Sequence, residues 1–395
     1  MKHRIVVLGA GYAGASAAGR LARRLHSDDV QITLVDADDD FVERVRMHQL
    51  ATGQTLVARP LRDMFAGTGV TVRRAQVTGL DVDRRLVFLA EEGGADELAY
   101  DTLVYALGSA VADHNVPGVA EHAFDVAGRP SALRLRARLD ELSAGASVLV
   151  VGGGLTGVES VTEIADARPD LDVGLAVRGR LGDWLDEGAQ RYLRTVVDRL
   201  GITLHERTDV VRVEPDGVLT GDARMIPAQV TVWTAGFAVQ TLATTTTLDV
   251  AHTGQIVVDG TMRSVSHPDV YAVGDAALAE GPGGKPLRMS CASGVPMAWQ
   301  AADAIAARLT GREVPKVSLR YFNQCISLGR RDGIIQFVTA DDRATRWFIT
   351  GNAAARYKEL VCRGAAWSVA HPTLNLPTRR RRLSTLPTKA LTALR

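Results

Sequence analysis

The fold is constrained most strongly by a glycine pattern that occurs twice, each time between a short apolar run and a predicted helix. The apolar runs are residues 4–8 and 147–151. The glycines are Gly9, Gly11 and Gly14 in the first copy and Gly152, Gly154 and Gly157 in the second. Glycine permits a sharp turn and lets the backbone approach a pyrophosphate, which the N-terminus of the following helix stabilises. One such turn in a chain with 38 glycines is weak evidence, but two in the same context predict two dinucleotide-binding sites.

Further apolar runs at 31–35 and 173–177 follow the two predicted helices, so each glycine turn belongs to a βαβ unit. A strand that ends in glycine follows each unit, at 102–108 and 230–236. The pattern predicts an α/β fold with two Rossmann-like dinucleotide-binding domains and a C-terminal α+β region. The expected boundaries are 1–110 with 243–310 for the first, split domain, 111–242 for the second domain, 311–370 for the C-terminal region and 371–395 for a basic tail.

The residues after the second strand of each unit indicate which ribose each site accepts. Asp36 ends the first unit, where a carboxylate accepts hydrogen bonds from ribose hydroxyls. The equivalent position in the second unit is Val177, and Arg178 and Arg180 follow it. Guanidinium groups suit a 2′-phosphate, so the sequence slightly favours NADPH over NADH. Two alternatives stay open: Asp36 as a solvated acid, and the arginines as surface charges.

Composition excludes several classes of protein. Lys and Arg number 46 against 45 Asp and Glu, so no overall field recruits nucleic acid. The cysteines, Cys291, Cys325 and Cys362, are too widely spaced for a zinc pattern or a disulfide framework, and we expect no metal site. No apolar run approaches the ~18 residues of a membrane span, and the early glycines argue against a cleaved signal peptide. We therefore expect a cytoplasmic protein.

Three further motifs, residues 106–109, 234–236 and 271–277, combine with the glycine turns in one characteristic order. The chain resembles the FAD-dependent pyridine nucleotide oxidoreductases, and within them the type II NADH dehydrogenase-like branch, over about residues 3–365. The resemblance implies that the first turn binds FAD and the second binds NAD(P)H. The implied FAD site comprises Gly9, Gly11, Tyr12, Ala13, Gly14, Asp36, Val77, Gly108, Gly274 and Asp275. The implied NAD(P)H site comprises Gly152, Gly154, Thr156, Gly157, Arg178 and Gly236.

Within these sites the resemblance implies specific contacts. Asp275 is expected to bind the flavin ribityl chain or pyrophosphate, and Val77 to contact the adenine through its backbone. Glu159 matches a glutamate that lies beside the flavin and the nicotinamide in the family. Gln300 matches the second half of the quinone-side motif, whose first half is absent here.

The resemblance also bears on the electron acceptor. No cysteine lies in residues 41–53, which excludes the dithiol relay of disulfide reductases. Cys291 and Cys325 are the one pair eligible for sulfide–quinone chemistry, but we expect all three thiols to be buried and inert. The expected activity is therefore electron transfer from NAD(P)H to a quinone or quinone-like acceptor. The alternatives are a soluble reductase of an electron-carrier protein or biosynthetic small molecule, and a redox sensor that only holds flavin.

Other candidates depend on weaker patterns. Arg44 and His48 are i, i+4 neighbours that could face the flavin, and Lys358 could line an acceptor channel. Solvated positions are the alternative for each. Residues 379–395 hold six basic side chains and no acid, which predicts a loose tail able to contact a membrane surface weakly. Peripheral attachment at the inner face of the cell membrane and a homodimer both stay open.

Overall fold

The computed structural model describes residues 1–315, 318–374 and 378–384. The strands are β1 (His3–Leu8), β2 (Val30–Asp36), β3 (Val70–Arg74), β4 (Gln76–Asp81), β5 (Leu86–Glu91), β6 (Gly94–Ala99), β7 (Thr102–Tyr105), β8 (Ser109–Val111), β9 (Ala123–Phe124), β10 (Ser147–Val151), β11 (Asp172–Ala176), β12 (Thr203–His205), β13 (Val210–Glu214), β14 (Gly217–Thr220), β15 (Met225–Pro227), β16 (Val230–Trp233), β17 (Phe237–Val239), β18 (Ile256–Val257), β19 (Val270–Ala272), β20 (Ala277–Leu278), β21 (Asn323–Ser327), β22 (Gly333–Val338) and β23 (Ala344–Thr350). The helices are α1 (Tyr12–Arg24), α2 (Met47–Ala51), α3 (Leu61–Met64), α4 (Val119–His122), α5 (Arg129–Asp140), α6 (Leu155–Ala167), α7 (Glu187–Arg199), α8 (Cys291–Leu309) and α9 (Gly351–Ala370).

The first glycine turn lies at the carboxyl end of the central strand of a parallel sheet. The strand order of this sheet is β19-β7-β1-β2-β3. Residues 5–8 of β1 are fully buried, which explains their continuous apolar run. The alanine-rich helix α1 packs closely against α8, because small side chains let the two helices approach. The late strand β19 joins this sheet beside β7, far from it in sequence.

The second glycine turn has the same setting in a second parallel sheet, β12-β11-β10-β16-β9. Here β10 lies between β11 and β16, as β1 lies between β2 and β7. Both turns therefore lie at a switch point of the sheet, where the strands that follow in the chain are placed on opposite sides of the central strand. Ligands bind at such points in open α/β sheets. The α/β fold is confirmed. The domain boundaries given above stay a prediction.

A C-terminal layer ties the two sheet domains together. It consists of the antiparallel sheet β21-β22-β23 and helix α9, which also packs against α1. The buried Gln336 on β22 accepts a hydrogen bond from the backbone N–H of Asp186, 3.0 Å away, just before α7. The hydroxyl of Tyr192 on α7 donates to Asp332 at 2.7 Å. Helix α9 packs on this sheet and contributes residues to the wall of the space between the two parallel sheets.

The expectation of a loose tail is wrong for residues 378–384. The backbone of Arg381 donates to Arg24 O and accepts from His26 N, both at 2.9 Å. The guanidinium of Arg382 forms ion pairs with Asp28 at 2.9 Å and Asp29 at 2.8 Å. The acidic turn before β2 supplies the charge that holds this segment. Residues 385–395, including Lys389, lie outside the described residues. In the described parts of the chain, no helix is long and apolar enough to cross a membrane.

Candidate active site

Both glycine turns open onto one cavity of about 1200 Å³ between the sheets, the C-terminal layer and α8. Many of the predicted site residues line this cavity. They are Gly11, Tyr12, Ala13, Asp36, Gly108, Gly152, Gly154, Thr156, Glu159, Arg178, Gly236, Gly274 and Asp275, together with the weaker candidates Arg44, His48 and Lys358. The cavity is not lined by Gly9, Gly14 or Gly157, which lie inside the turns and determine their shape.

The first turn forms a cradle because two of its glycines have no room for a side chain. Gly9 has φ +92°, and a Cβ there would lie 2.3 Å from Ala106 O. A Cβ on Gly14 would lie 1.8 Å from Gly9 O, so helix α1 packs directly on the turn. By contrast, a Cβ on Gly11 would meet nothing within 4 Å, and this open space faces the N-terminus of α1. Asp36 accepts from Ala10 N and, at 2.9 Å, from Asp38 N, which braces the turn against β2.

The second turn repeats this geometry. Gly152 has φ +127°, and a Cβ on Gly157 would lie 1.9 Å from Gly152 O. A Cβ on Gly154 would meet nothing within 4 Å. Each cradle thus offers backbone N–H groups and empty space of the kind that a pyrophosphate fills. The residues present therefore fit two bound dinucleotides.

A cationic group lies close to the first cradle. Arg44 Nη2 donates to Ser109 Oγ at 3.1 Å, and Ser109 Oγ donates to Asp275 Oδ2 at 2.7 Å. Arg44 Nη1 lies 3.5 Å from Asp275 Oδ2, and its guanidinium lies 5.1 Å from the ring centroid of Phe237. Burial lowers the pKa of Arg44, although a guanidinium keeps its proton in proteins. This arrangement can stabilise negative charge on a cofactor in the cleft.

A buried ion pair forms another part of the cavity wall. Lys358 Nζ on α9 donates to Glu159 Oε1 at 2.9 Å and to Cys325 O at 3.1 Å. Ser327 N also donates to Glu159 Oε1, at 3.0 Å. The prediction that Lys358 is a candidate channel residue is therefore supported by its place in the cavity wall.

The contacts of this pair favour the charged form of both side chains. Burial by itself raises the pKa of Glu159, but the Lys358 ammonium, His48 and the Ser327 N–H together lower it below its usual range. For Lys358, burial alone lowers the pKa, and the Glu159 carboxylate more than offsets this and raises it above its usual range. The cavity thus contains a buried ammonium, a hydrogen-bond donor whose charge is balanced by its neighbour.

All three cysteines line the cavity, but Cys291 and Cys325 are only half-buried, which differs from the prediction. The thiols are free. Burial raises the pKa of Cys325 to about 12 and that of Cys362 to about 11, and it also raises the pKa of Cys291. Protonated thiols are poor nucleophiles. This geometry does not favour sulfide chemistry.

Two predicted residues are placed away from the cavity. Gln300 is buried in α8, and its Nε2 donates to Gly260 O at 3.1 Å and Pro315 O at 3.2 Å. These contacts show that the amide of Gln300 holds two loops in place, and its assignment to the acceptor site stays a prediction. Val77 lies on β4, outside the residues that line the cavity, so its contact to adenine stays a prediction.

Sequence reasoning missed the partners that give Glu159 and Arg44 their environment. Ser327 is 168 residues from Glu159, and Phe237 belongs to β17 beyond the second sheet. No spacing rule connects such residues. Ser109 could have been identified as a site residue from the sequence, since it ends the motif 106–109.

The fold and the two cradles define an oxidoreductase class in which one chain holds two dinucleotides on either side of a cleft. The chain belongs to the pyridine nucleotide-disulphide oxidoreductase family, whose profile matches residues 3–306. This membership confirms the resemblance inferred from the motifs.

Individual relatives agree with this assignment. The chain is 30% identical over 348 residues to the NADH dehydrogenase-like protein Rv1812c of Mycobacterium tuberculosis, covering 82% of this chain and 86% of the relative. It is 26% identical over 348 residues to the demethylphylloquinone reductase NdbB of Synechocystis sp., covering 84% and 86%. The structure of NDH2 from Plasmodium falciparum in complex with NADH superposes with a TM-score of 0.79 at 15% identity, covering 96% of this chain and 99% of that one.

Replacing Lys358 with Met removes the ammonium that keeps Glu159 ionised. We expect Lys358→Met to lower the free energy of unfolding by about 3–5 kcal/mol near pH 8, because one charge of a buried pair is left uncompensated. The pKa of Glu159 then rises above its unfolded value, so the variant regains stability as the pH falls. The wild type instead loses the contribution of its lowered Glu159 pKa on acidification. Urea unfolding should show that the difference in the free energy of unfolding between wild type and Lys358→Met becomes smaller towards about pH 5.

The double variant Glu159→Gln with Lys358→Met is the control, since it removes both charges. It should recover most of the lost stability. This account of the pair would be contradicted if the difference in the free energy of unfolding did not change with pH. A double variant no more stable than Lys358→Met would contradict it as well.

Proposed function

We propose that this chain is an FAD-dependent oxidoreductase that takes hydride from NAD(P)H and passes the electrons to a quinone or quinone-like acceptor. The observation that carries the proposal is the cavity onto which both cradles open, with Arg44 and the buried ammonium of Lys358 in its wall. Relatives with this fold include a demethylphylloquinone reductase and a structure solved with NADH. Membership of an oxidoreductase family supports the same reaction class.

The first cradle holds FAD and the second holds NAD(P)H in this proposal. The FAD domain comprises 1–110 and 243–310, the NAD(P)H domain 111–242, and residues 311–370 cover the cleft. Asp36 accepts hydrogen bonds from the FAD ribose, and Asp275 with Ser109 and Arg44 holds the flavin's polar chain. When bound, FAD supplies the redox chemistry, accepting hydride and returning electrons.

The ion pair acts on the acceptor. A lysine ammonium has three N–H donors, and Lys358 uses two of them on Glu159 and Cys325 O. The third has no partner among the residues that the structure describes, and it can donate to a carbonyl oxygen of the acceptor in the cavity. Charge develops on that oxygen as electrons arrive, and a preorganised ammonium in a site shielded from water stabilises it. Glu159 keeps Lys358 charged and in place.

Stopped-flow spectroscopy of the purified protein tests the proposal. The material should be yellow, its flavin should bleach with NADH or NADPH under anaerobic conditions, and menadione or a ubiquinone analogue should restore the colour. Fast bleaching without reoxidation by either quinone would contradict the acceptor assignment. Material that cannot be loaded with FAD would contradict the cofactor assignment.

We propose NADPH as the slightly favoured reductant. Strand β11 ends at Ala176, and the exposed Arg178 lines the cavity where the 2′-position of a bound nucleotide would lie. We expect Arg178→Ala to lower kcat/KM for NADPH by about tenfold, the effect of one lost charge-assisted contact, and to leave kcat/KM for NADH unchanged. Arg191→Ala, an exposed arginine on α7, is the matched control. A clear NADH preference that Arg178→Ala does not alter would overturn the proposal.

We propose further that the C-terminal layer, rather than the basic tail, contacts the inner membrane surface of a cytoplasmic enzyme. Leu360 and Trp347 are 67% and 63% exposed, and Trp367 is also exposed. Helix α9 carries Leu360 outward and Lys358 inward, so a lipid-soluble acceptor would reach the cavity from this face. The tail is less suited, because acidic partners neutralise Arg382.

Vesicle flotation with anionic lipid tests this contact. Leu360→Asp should abolish co-flotation, because it places a charge in the apolar contact, whereas Arg379→Ala with Arg380→Ala in the tail should retain it. If Leu360→Asp retained co-flotation and the double arginine variant lost it, the basic tail would be the membrane contact instead. A homodimer that dissociates in Leu360→Asp, without lipid binding by the wild type, would show that this face binds a second copy.

A further inference from the structure

The reach of Lys358 into the cavity depends on how its helix is held. Its Nζ is fixed by Glu159 Oε1 at 2.9 Å and by Cys325 O at 3.1 Å. These contacts hold the tip of a long, flexible side chain, and they leave its base free to move. The base is fixed only if α9 keeps both its position and its rotation about the helix axis.

The middle of α9 has little apolar burial of its own. Ala354 and Cys362 are buried, but every residue of 355–361 between them is half-buried or exposed. The Tyr357 hydroxyl accepts from Asn323 Nδ2 at 2.9 Å, which is a contact inside the C-terminal layer. Apolar packing therefore contributes little to holding this part of the helix against the sheet domains.

An ion pair to a buried arginine holds this stretch instead. Glu359, the residue after Lys358, has its Oε2 2.8 Å from Arg46 Nη1. Among the described hydrogen bonds and ion pairs of residues 355–361, this one alone reaches the segment between β2 and β3. Adjacent residues project ~100° apart around a helix. With Lys358 bound in one direction and Glu359 in another, α9 cannot rotate here without breaking one of the contacts.

Arg46 can hold the helix because its own side chain is fixed. It is 9% exposed. Its Nε donates to Glu43 Oε2 at 3.0 Å, and its Nη1 donates to Gln49 Oε1 at 3.1 Å. Glu43 is held in turn, since its Oε1 accepts from Arg59 Nε at 2.9 Å. A guanidinium with several fixed acceptors offers Glu359 a partner in one defined place.

The same short turn carries the other cation of the cavity. A 3-10 helix spans Arg44–Arg46. Arg44, at its start, donates to Ser109 Oγ at 3.1 Å and lies close to the first cradle. Arg46, at its end, holds α9 through Glu359. Neither Arg46 nor Glu359 lines the cavity, so they can act on the acceptor only through another side chain.

We propose that Arg46 is a positioning residue that fixes the rotation of α9 through Glu359 and so aims the Lys358 ammonium at the acceptor carbonyl, a role that rests on the proposed function. Without this ion pair the base of Lys358 can shift, and a misplacement of ~1 Å can cost ~100-fold in rate. Glu159 still holds Nζ and limits the shift, so the expected loss is smaller.

Measuring the two half-reactions separately tests the positioning. Glu359→Ala removes the ion pair at a side chain that is 39% exposed. We expect it to slow reoxidation of the reduced flavin by menadione by about tenfold. Flavin reduction by NAD(P)H should keep its rate, because hydride transfer does not use the ammonium. Glu359→Gln should restore most of the reoxidation rate, since its amide oxygen can still accept from Arg46.

Arg363→Ala is the matched control, because Arg363 is the other partner of Glu359. Its Nε lies 2.6 Å from Glu359 Oε1, its side chain is 74% exposed, and it belongs to α9 itself. It should leave both half-reactions unchanged. The double variant Glu159→Gln with Lys358→Met supplies a background without the ammonium. Adding Glu359→Ala to this background should cause no further slowing, because there is no ammonium left to aim.

Hydrogen exchange gives a readout that does not depend on turnover. In the full-length protein, Glu359→Ala should increase amide exchange several-fold in residues 355–361. Residues 366–370 should keep their wild-type rates, because Ala366 and Val369 are buried. Tm and flavin content show whether Glu359→Ala folds. If it does not, Arg46→Gln replaces it, since this variant breaks the same ion pair from the other side.

Equal slowing by Glu359→Ala in the wild type and in the background without the ammonium would overturn the positioning role. Unchanged reoxidation, unchanged exchange in residues 355–361, or an equal slowing of flavin reduction would overturn it as well. A wild type whose flavin is bleached by NAD(P)H but is reoxidised by no quinone would instead overturn the proposed function, before any variant is measured.

Discussion

The close contact between a helix and the turn that precedes it sets the geometry of the whole cleft. At Gly14 and at Gly157 a Cβ would lie 1.8 and 1.9 Å from a backbone oxygen of the turn. The absence of side chains there lets each helix N-terminus point at open space above Gly11 and Gly154. A larger residue at either packing position would push the helix away and close that space. Both nucleotide sites therefore depend on backbone packing rather than on side-chain recognition.

Charge inside the cavity is arranged around this backbone framework. Arg44 is held by Asp275 and Ser109 near one cradle, and Lys358 is held by Glu159 near the other side of the cleft. Both cations are paired, which offsets the large penalty for burying an isolated charge. The C-terminal layer contributes Lys358, so the cavity is complete only when this layer packs against both sheet domains, through α9 on α1 and through the sheet β21-β22-β23 on α6 and α7. Closure of the cavity and the placement of Lys358 are thus linked through one helix.

The sequence predicted the parts of the fold that local patterns encode. Glycine spacing, apolar runs and Asp36 predicted both βαβ units and the cradle residues, because these features lie within one continuous segment each. The pairing of Lys358 with Glu159 was not predictable in this way, since it depends on how α9 packs over the cleft. Half a motif predicted an acceptor-site role for Gln300, and the sequence could not show that its amide donates to Gly260 O and Pro315 O. The charge of the tail alone predicted a loose segment. In the structure, Asp28 and Asp29 form ion pairs with Arg382 and hold this part of the tail in place.

The central claim is that the two cradles hold different cofactors across one cavity. Gly11 and Gly154 have extended backbones with φ −65° and −77°, and a side chain at either would meet nothing in the protein. Valine at these positions should therefore fold normally and occupy only the phosphate space. The most direct measurement is the visible spectrum of the two variants before and after NAD(P)H. The account predicts that Gly11→Val is colourless, and that Gly154→Val is yellow but is not bleached. Two yellow variants that NAD(P)H bleaches like the wild type, or the opposite assignment, would contradict it.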